Sequence, residues 1–179
     1  MKTMADFLSH YRRQRCWTRA LVAAVPAEHF DWAPAAGAFS CGDLVRHLMQ
    51  AEIFWCRLLV SATAGKAFDP FGLEGTAEER MQGLRERNLD HSHAEKYGRT
   101  GEECLAAWTA IEERTARDFA ALPDSALHEV TVSHPVTRLE APLWQMLLIM
   151  VEHEAHHRGQ LSAYLKMIGV DQPAAIIGA

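Results

Sequence analysis

The stretch Pro142–Gly169, PLWQMLLIMVEHEAHHRGQLSAYLKMIG, decides the fold. Proline suits the first turn of a helix, where its missing N–H loses no bond. Gly169 suits the position just past a helix end, and Pro173 blocks continuation. Between them only Gly159 interrupts, so the stretch reads as one long helix. At about 100° per residue, Met146, Ile149, Met150, His153, His157, Gln160, Leu161 and Tyr164 fall on one broad stripe. Apolar stripes seldom carry imidazoles.

Two histidines at i and i+4 lie one turn apart on one face and can hold a single metal ion. His153 and His157 have that spacing; His156 lies on the other flank and is the weaker candidate. The competing reading is a core histidine satisfied by a neighbour. The letters His153-Glu154-Ala155-His156-His157 also spell H-E-x-x-H, the metallopeptidase helix. No further His or Glu follows His157 to serve as a third ligand, and Gln160 and Ala163 break the extended form of the motif. A metallopeptidase is therefore a minor alternative. Glu154 is expected not to act as a catalytic base, because it points to the side of Leu147 and Arg158.

Moving outward, Ser40-Cys41-Gly42-Asp43 forms a capping box that opens a second helix, about 41 to 64. Its expected buried stripe is Leu44, His47, Ala51, Phe54, Leu58 and Ala62. His47 sits at the centre of that stripe, and a third inward-facing histidine tips the balance towards a metal site. The loop before it has Trp32 and Phe39 as expected anchors. A first helix spans 4 to 25 and ends at Pro26; Met4, Phe7, Tyr11, Leu21, Val22 and Val25 share a face with Gln14 and Thr18, a polar pair expected to be satisfied in the core. Residues 65–99 form a long polar connection with a short helix capped at Thr76, and with His91 and His93 as surface histidines. Thr100-Gly-Glu-Glu103 is a second capping box, opening a helix to about Leu122; Glu112, at the edge of its apolar side, is expected to meet solvent. Residues 128–137 alternate enough for one or two short strands.

Four long amphipathic helices predict an all-α four-helix bundle, one domain over residues 1–179. All three links are long, so crossover connections are expected, and Gly159 suggests the close approach of another helix. The net charge of −5 comes without a basic stripe, which argues against nucleic-acid binding. The stretch Met1-Lys-Thr-Met-Ala-Asp-Phe7 lacks the apolar run expected of a signal peptide, no apolar run reaches membrane length, and the four cysteines are dispersed like reduced thiols. A cytoplasmic protein is expected.

His153-Glu-Ala-His-His-Arg-Gly-Gln160 resembles the H-x-x-H-H-R-G-Q pattern of the DinB/YfiT-like family, and Ser40 to His47 is similar to that family's second-helix segment. Trp32-Ala-Pro34 and Tyr164 to Gly169 continue the likeness. The resemblance implies an up-down-down-up bundle, often a homodimer. It also implies a divalent metal, zinc or nickel first, held by His47, His153 and His157. His156 would not be a ligand, and Arg158 and Gln160 would support the site. Members of known activity include S-transferases and isomerases that use a low-molecular-weight thiol on a small-molecule substrate. Three imidazoles leave a coordination position open, so hydrolysis is equally accessible. A metal- or ligand-binding stress protein without turnover, or a bundle whose histidines are only core residues, are the remaining expectations. No catalytic residue beyond the metal ligands is identified.

Overall fold

The computed structural model describes residues 1–70, 72, 74–88, 93–171 and 173, with the backbone alone for 84–88 and 93. Helix α1 spans Met4–Ala23, α2 Cys41–Thr63, α3 Ala77–Asn88, α4 His93–Tyr97, α5 Gly101–Ala120, α6 Ala126–Glu129 and α7 Leu143–Met167. Strands β1 (Thr131–Ser133) and β2 (Glu140–Pro142) pair antiparallel before α7. The second strand lies beyond the 128–137 segment that the alternation marked. The expected surface histidine His91 lies outside the described residues, and His93 opens the unexpected short helix α4.

Local chemistry sets the helix ends. Ser40 accepts from the Asp43 N–H at 3.0 Å while the Asp43 carboxylate accepts from the Ser40 N–H at 3.0 Å, so both halves of the capping box are present. Thr3 and Asp6 do the same for α1. At α5 the box is only half formed: Thr100 accepts from the Glu103 N–H, but Glu103 accepts from Arg99 rather than Thr100. Helix α7 stops where Gly169 turns to φ +78°. There its N–H reaches the Lys166 carbonyl while that of Val170 reaches Leu165, the paired bonds of a Schellman motif.

Helices α1 and α2 each pack against both α5 and α7, so α1 and α2 stand diagonally opposite. Two apolar clusters divide the core. One holds Phe7, Tyr11, Trp55, Leu59, Phe119 and Met146; the other holds Leu21, Leu44, Met49, Trp108, Leu161 and Leu165. Helix α1 runs from the first cluster to the second, α2 and α5 run back, and α7 runs forward again. This is the up-down-down-up bundle. Because α2 and α5 are parallel, residues 64–100 must travel the length of a 20-residue helix, about 30 Å. The other two links join helix ends at the same end of the bundle, so only one of the three is a full crossover.

Gly159 is a correction. A Cβ there would meet nothing within 4 Å among the described residues, so none of their helices packs against it. The close approach is instead at Gly42, where a Cβ would lie 2.7 Å from the Phe30 ring. Phe30 is the buried anchor of the 24–40 loop, whereas Trp32 and Phe39 are only partly buried.

Candidate functional site

His47 projects from the second turn of α2, and His153 and His157 from the middle of α7. Their Nε2 atoms converge: His47 to His153 is 3.2 Å and His153 to His157 is 3.2 Å. One ligand atom from each lies within 4.8 Å of the others. Two nitrogens bound tetrahedrally to one ion at about 2.1 Å are about 3.4 Å apart, so the cluster can hold a divalent ion with little movement. His156 is exposed and stays outside the trio.

Neighbouring side chains hold this geometry. Gln160 Oε1 lies 2.6 Å from His157 Nδ1, which makes Nδ1 the protonated nitrogen and leaves the Nε2 lone pair to face the cluster. Phe39 stacks on His47 at 5.4 Å and meets His157 edge-on at 6.5 Å. Burial, reinforced by His157, His156 and His134, pushes the His153 pKa down to about 4. His157 is lowered as well, by burial first and against the pull of Gln160. These two rings are therefore neutral at pH 7, as ligands must be.

His47 and His153 form part of the wall of a cavity of about 550 Å³. Its apolar lining comes from Ala51, Phe54 and Trp55 on α2, Ile149 on α7, and Phe68 and Met81 from the crossover connection. This corrects the α2 stripe. His47, Ala51 and Phe54 are half-buried and face the cavity, whereas Val45, Leu48, Glu52 and Leu59 face the core. The long connection is thus a wall of the site.

Glu154 lies elsewhere. It is 4% exposed; Thr18 donates to its Oε1 at 2.5 Å and Arg15 to its Oε2 at 2.9 Å. With both oxygens committed to α1, it offers no base to the histidine cluster, and the metallopeptidase reading has no support. Arg15 also donates to Glu52 at 2.7 Å and lies 4.2 Å over the Trp108 ring. Tyr11 and Trp108 donate to the same Glu52. One buried polar layer therefore takes a side chain from each long helix, between the two apolar clusters. Burial opposes the Arg15 charge, but Glu154, Tyr11, Glu52 and Glu112 outweigh it and raise its pKa. Glu112 is drawn into this layer rather than left to solvent, 3.5 Å from Arg15 and 3.2 Å from Arg19. Arg158 reaches the Gln14 carbonyl at 3.3 Å and so ties α7 to α1, without supporting the histidines.

The sequence reading passed over Arg15 and Glu52. The signal was present: Tyr11, Arg15, Thr18 and Val22 share a helical face, as do Leu48, Glu52, Trp55 and Leu59, with a charge inside each apolar stripe. His134, on the cavity wall, was also passed over.

The model of the DinB family matches residues 1–177. The chain belongs to the DinB family. Solved DinB-like proteins share its fold. One from Bacillus cereus ATCC 10987 has 16% identity and a TM-score of 0.67, covering 96% of this chain and 97% of its own. One from Bacillus subtilis has 18% identity and a TM-score of 0.64, covering 94% and 95%. An uncharacterised protein from Escherichia coli UTI89 is similar at 16% identity and 0.67, covering 96% and 97%. At these identities the likeness is one of fold. No curated protein matches the sequence. Among the described residues no helix is long and apolar enough to cross a membrane.

Proposed function

We propose that this DinB-family protein is a metal-dependent enzyme, with His47, His153 and His157 as ligands of a divalent ion, zinc or nickel, and with the adjoining cavity as its substrate site. The reading rests on one observation: three Nε2 atoms converge where an apolar cavity of about 550 Å³ meets the bundle core. When bound, such an ion supplies Lewis acidity and lowers the pKa of a thiol or water that reaches it. The chain's own contribution is to keep His153 and His157 neutral by burial, to fix the His157 tautomer through Gln160, and to exclude water with Phe54, Phe68 and Ile149. Its three buried cysteines supply no ready thiolate, since burial pushes Cys41, Cys56 and Cys104 up to about 11. An external low-molecular-weight thiol is the favoured nucleophile. Its sulfur bonds to an electrophilic carbon as the leaving group departs with the electron pair of its bond, and the thiol proton passes to solvent. Hydrolysis, with water in place of the thiol, is the second outcome. A cytoplasmic homodimer agrees with this reading.

The test is metal analysis of tag-free protein beside His47→Ala and His153→Ala, followed by two assays on loaded protein. These are conjugation of cysteine to 1-chloro-2,4-dinitrobenzene and hydrolysis of a nitrophenyl ester. About one equivalent of metal in wild type, with none in either variant and turnover in one assay that both variants lose, is the expected result. Wild-type protein that takes up no divalent metal, or turnover that persists in both variants, would refute it.

A further inference from the structure

Facing the cavity from its hairpin side is a fourth histidine, His134, which follows β1 directly. The backbone N–H groups of Val136 and Thr137 both donate to its Nδ1, each at 3.2 Å. A nitrogen that accepts two hydrogen bonds carries a lone pair, so the neutral ring holds its proton on Nε2. No hydrogen-bond partner for that Nε2–H exists among the described residues. The ring itself is clamped. Phe54 and Trp55 meet it at 5.3 and 5.1 Å, and its own N–H and carbonyl bond to Leu139 and Arg138 across the turn. From the connection, buried Arg80 donates to the Val136 carbonyl at 2.6 Å, locking the turn to α3. Burial holds the ring's pKa down at about 4, so it stays a neutral donor at pH 7.

The rest of the lining shows what such a donor would meet. Arg57 and Lys96 line the same cavity, and no carboxylate does among the described residues. One fixed neutral donor and two cations, beside Gln50, Tyr97 and Thr137 and otherwise apolar walls, match an oxygen acceptor carrying negative charge on an apolar body. We propose that the cavity binds a carboxylate on an aromatic or aliphatic body, with His134 donating from Nε2 to a carboxylate oxygen and Arg57 and Lys96 supplying the positive field. The proposal rests on the cavity being the substrate site and deepens that reading by naming the class of ligand. It places the head group on His134 rather than on the three-histidine cluster.

Asparagine and phenylalanine separate the ring's two roles. In His134→Asn the side-chain oxygen can still accept from Val136 and Thr137, as in an Asx turn, but nothing replaces the Nε2–H. His134→Phe removes both functions and reports the cost of the turn. The probe is phenylacetate, titrated calorimetrically against metal-loaded and metal-stripped wild type, His134→Asn and the Arg57→Ala/Lys96→Ala double variant, with 2-phenylethylamine as the isosteric cation. Thermal melting and metal content are measured on each protein. The expected result is phenylacetate binding at least ten-fold tighter than the amine, weakened about ten-fold in His134→Asn with melting and metal content unchanged, and weakened likewise in the double variant. Binding to metal-stripped wild type should stay within about three-fold of the metal-loaded protein, which separates this proposal from the metal reading. Wild-type protein that ignores phenylacetate, equal affinity for the amine, undiminished binding by His134→Asn, or binding lost together with the metal would each overturn it.

Discussion

Gln160 decides which nitrogen of His157 is free. Its carbonyl oxygen sits 2.6 Å from Nδ1, so the proton is held there and Nε2 turns to His47 and His153 with its lone pair available. Gln160→Ala leaves both tautomers accessible and the ring free to turn. Loss of such a supporting hydrogen bond typically lowers metal affinity about 10- to 100-fold. Competition with a chelator of known affinity should show that loss in Gln160→Ala, with helicity by circular dichroism unchanged; wild-type affinity would mean that the contact holds nothing. Glu154, one residue past His153, behaves differently because it faces α1. Glu154→Ala takes one carboxylate from the buried Arg15 guanidinium, leaving it Glu52 and the more distant Glu112, and leaves Thr18 only the Gln14 carbonyl at 3.3 Å; breaking a buried pair costs about 3–5 kcal/mol. Glu154→Gln keeps an acceptor for Thr18 and should cost less. Denaturant unfolding should rank wild type, Glu154→Gln and Glu154→Ala in falling stability, with metal stoichiometry constant in all three. A variant that kept full stability but lost activity would reinstate the carboxylate as a base.

At the scale of the element, some signals are local and others are not. Ser40 and Asp43 bond to each other across three residues, so the start of α2, and with it the position of His47, was legible in the sequence. Ser40→Ala removes one half of that box and should cost about 1 kcal/mol, read as a lowered denaturant midpoint with unchanged slope. His153 and His157 were legible for the same reason, since helical spacing alone brings them together. What was not legible is which flank of a broad stripe faces the core. His47, Ala51 and Phe54 read as buried, yet they face the cavity, because the direction of α2 is set by Trp108 and Phe119 on α5 and by α7 rather than by its own pattern. The polar layer stayed hidden because each of its charges has its partner on another helix, as Arg15 does in Glu52 and Glu154. Thr18 alone was read correctly as a satisfied core residue, since a hydroxyl in an apolar stripe must find an acceptor. His134 left no periodic trace; a hairpin turn places it, and only the fold brings that turn to α2 and α7.

Over the whole molecule these separate histidines act together as pH falls. His134 and His153 are both held near 4 by burial, against about 6.5 for an unfolded histidine. The sign follows from proton counting. Between about pH 6.5 and 4 the unfolded chain takes up protons that the folded chain refuses, so each such ring withdraws stability as pH falls, by up to about 1.4 kcal/mol per pH unit. Their contribution is whole above about pH 6.5 and is lost on descent towards pH 4. Metal-free protein should therefore melt at progressively lower temperature through that window. His134→Asn, having no ring to protonate, should lose less over the same interval and so melt above wild type at the acid end. A bound ion adds a second proton-linked loss, because His47, His153 and His157 must all be neutral to hold it. The loaded protein should start from a higher melting temperature at pH 7.5 and keep that lead until pH nears the folded pKa values of its ligands, about 4 for His153, where the two forms converge. Melting curves at half-unit intervals from pH 7.5 to 3.5, on loaded and stripped wild type and on His153→Ala, test all three profiles. A lead of the loaded wild type that persisted undiminished at pH 3.5 would mean that the ion is not held by imidazole. A His153→Ala profile that still depended on metal would remove His153 from the ligand set.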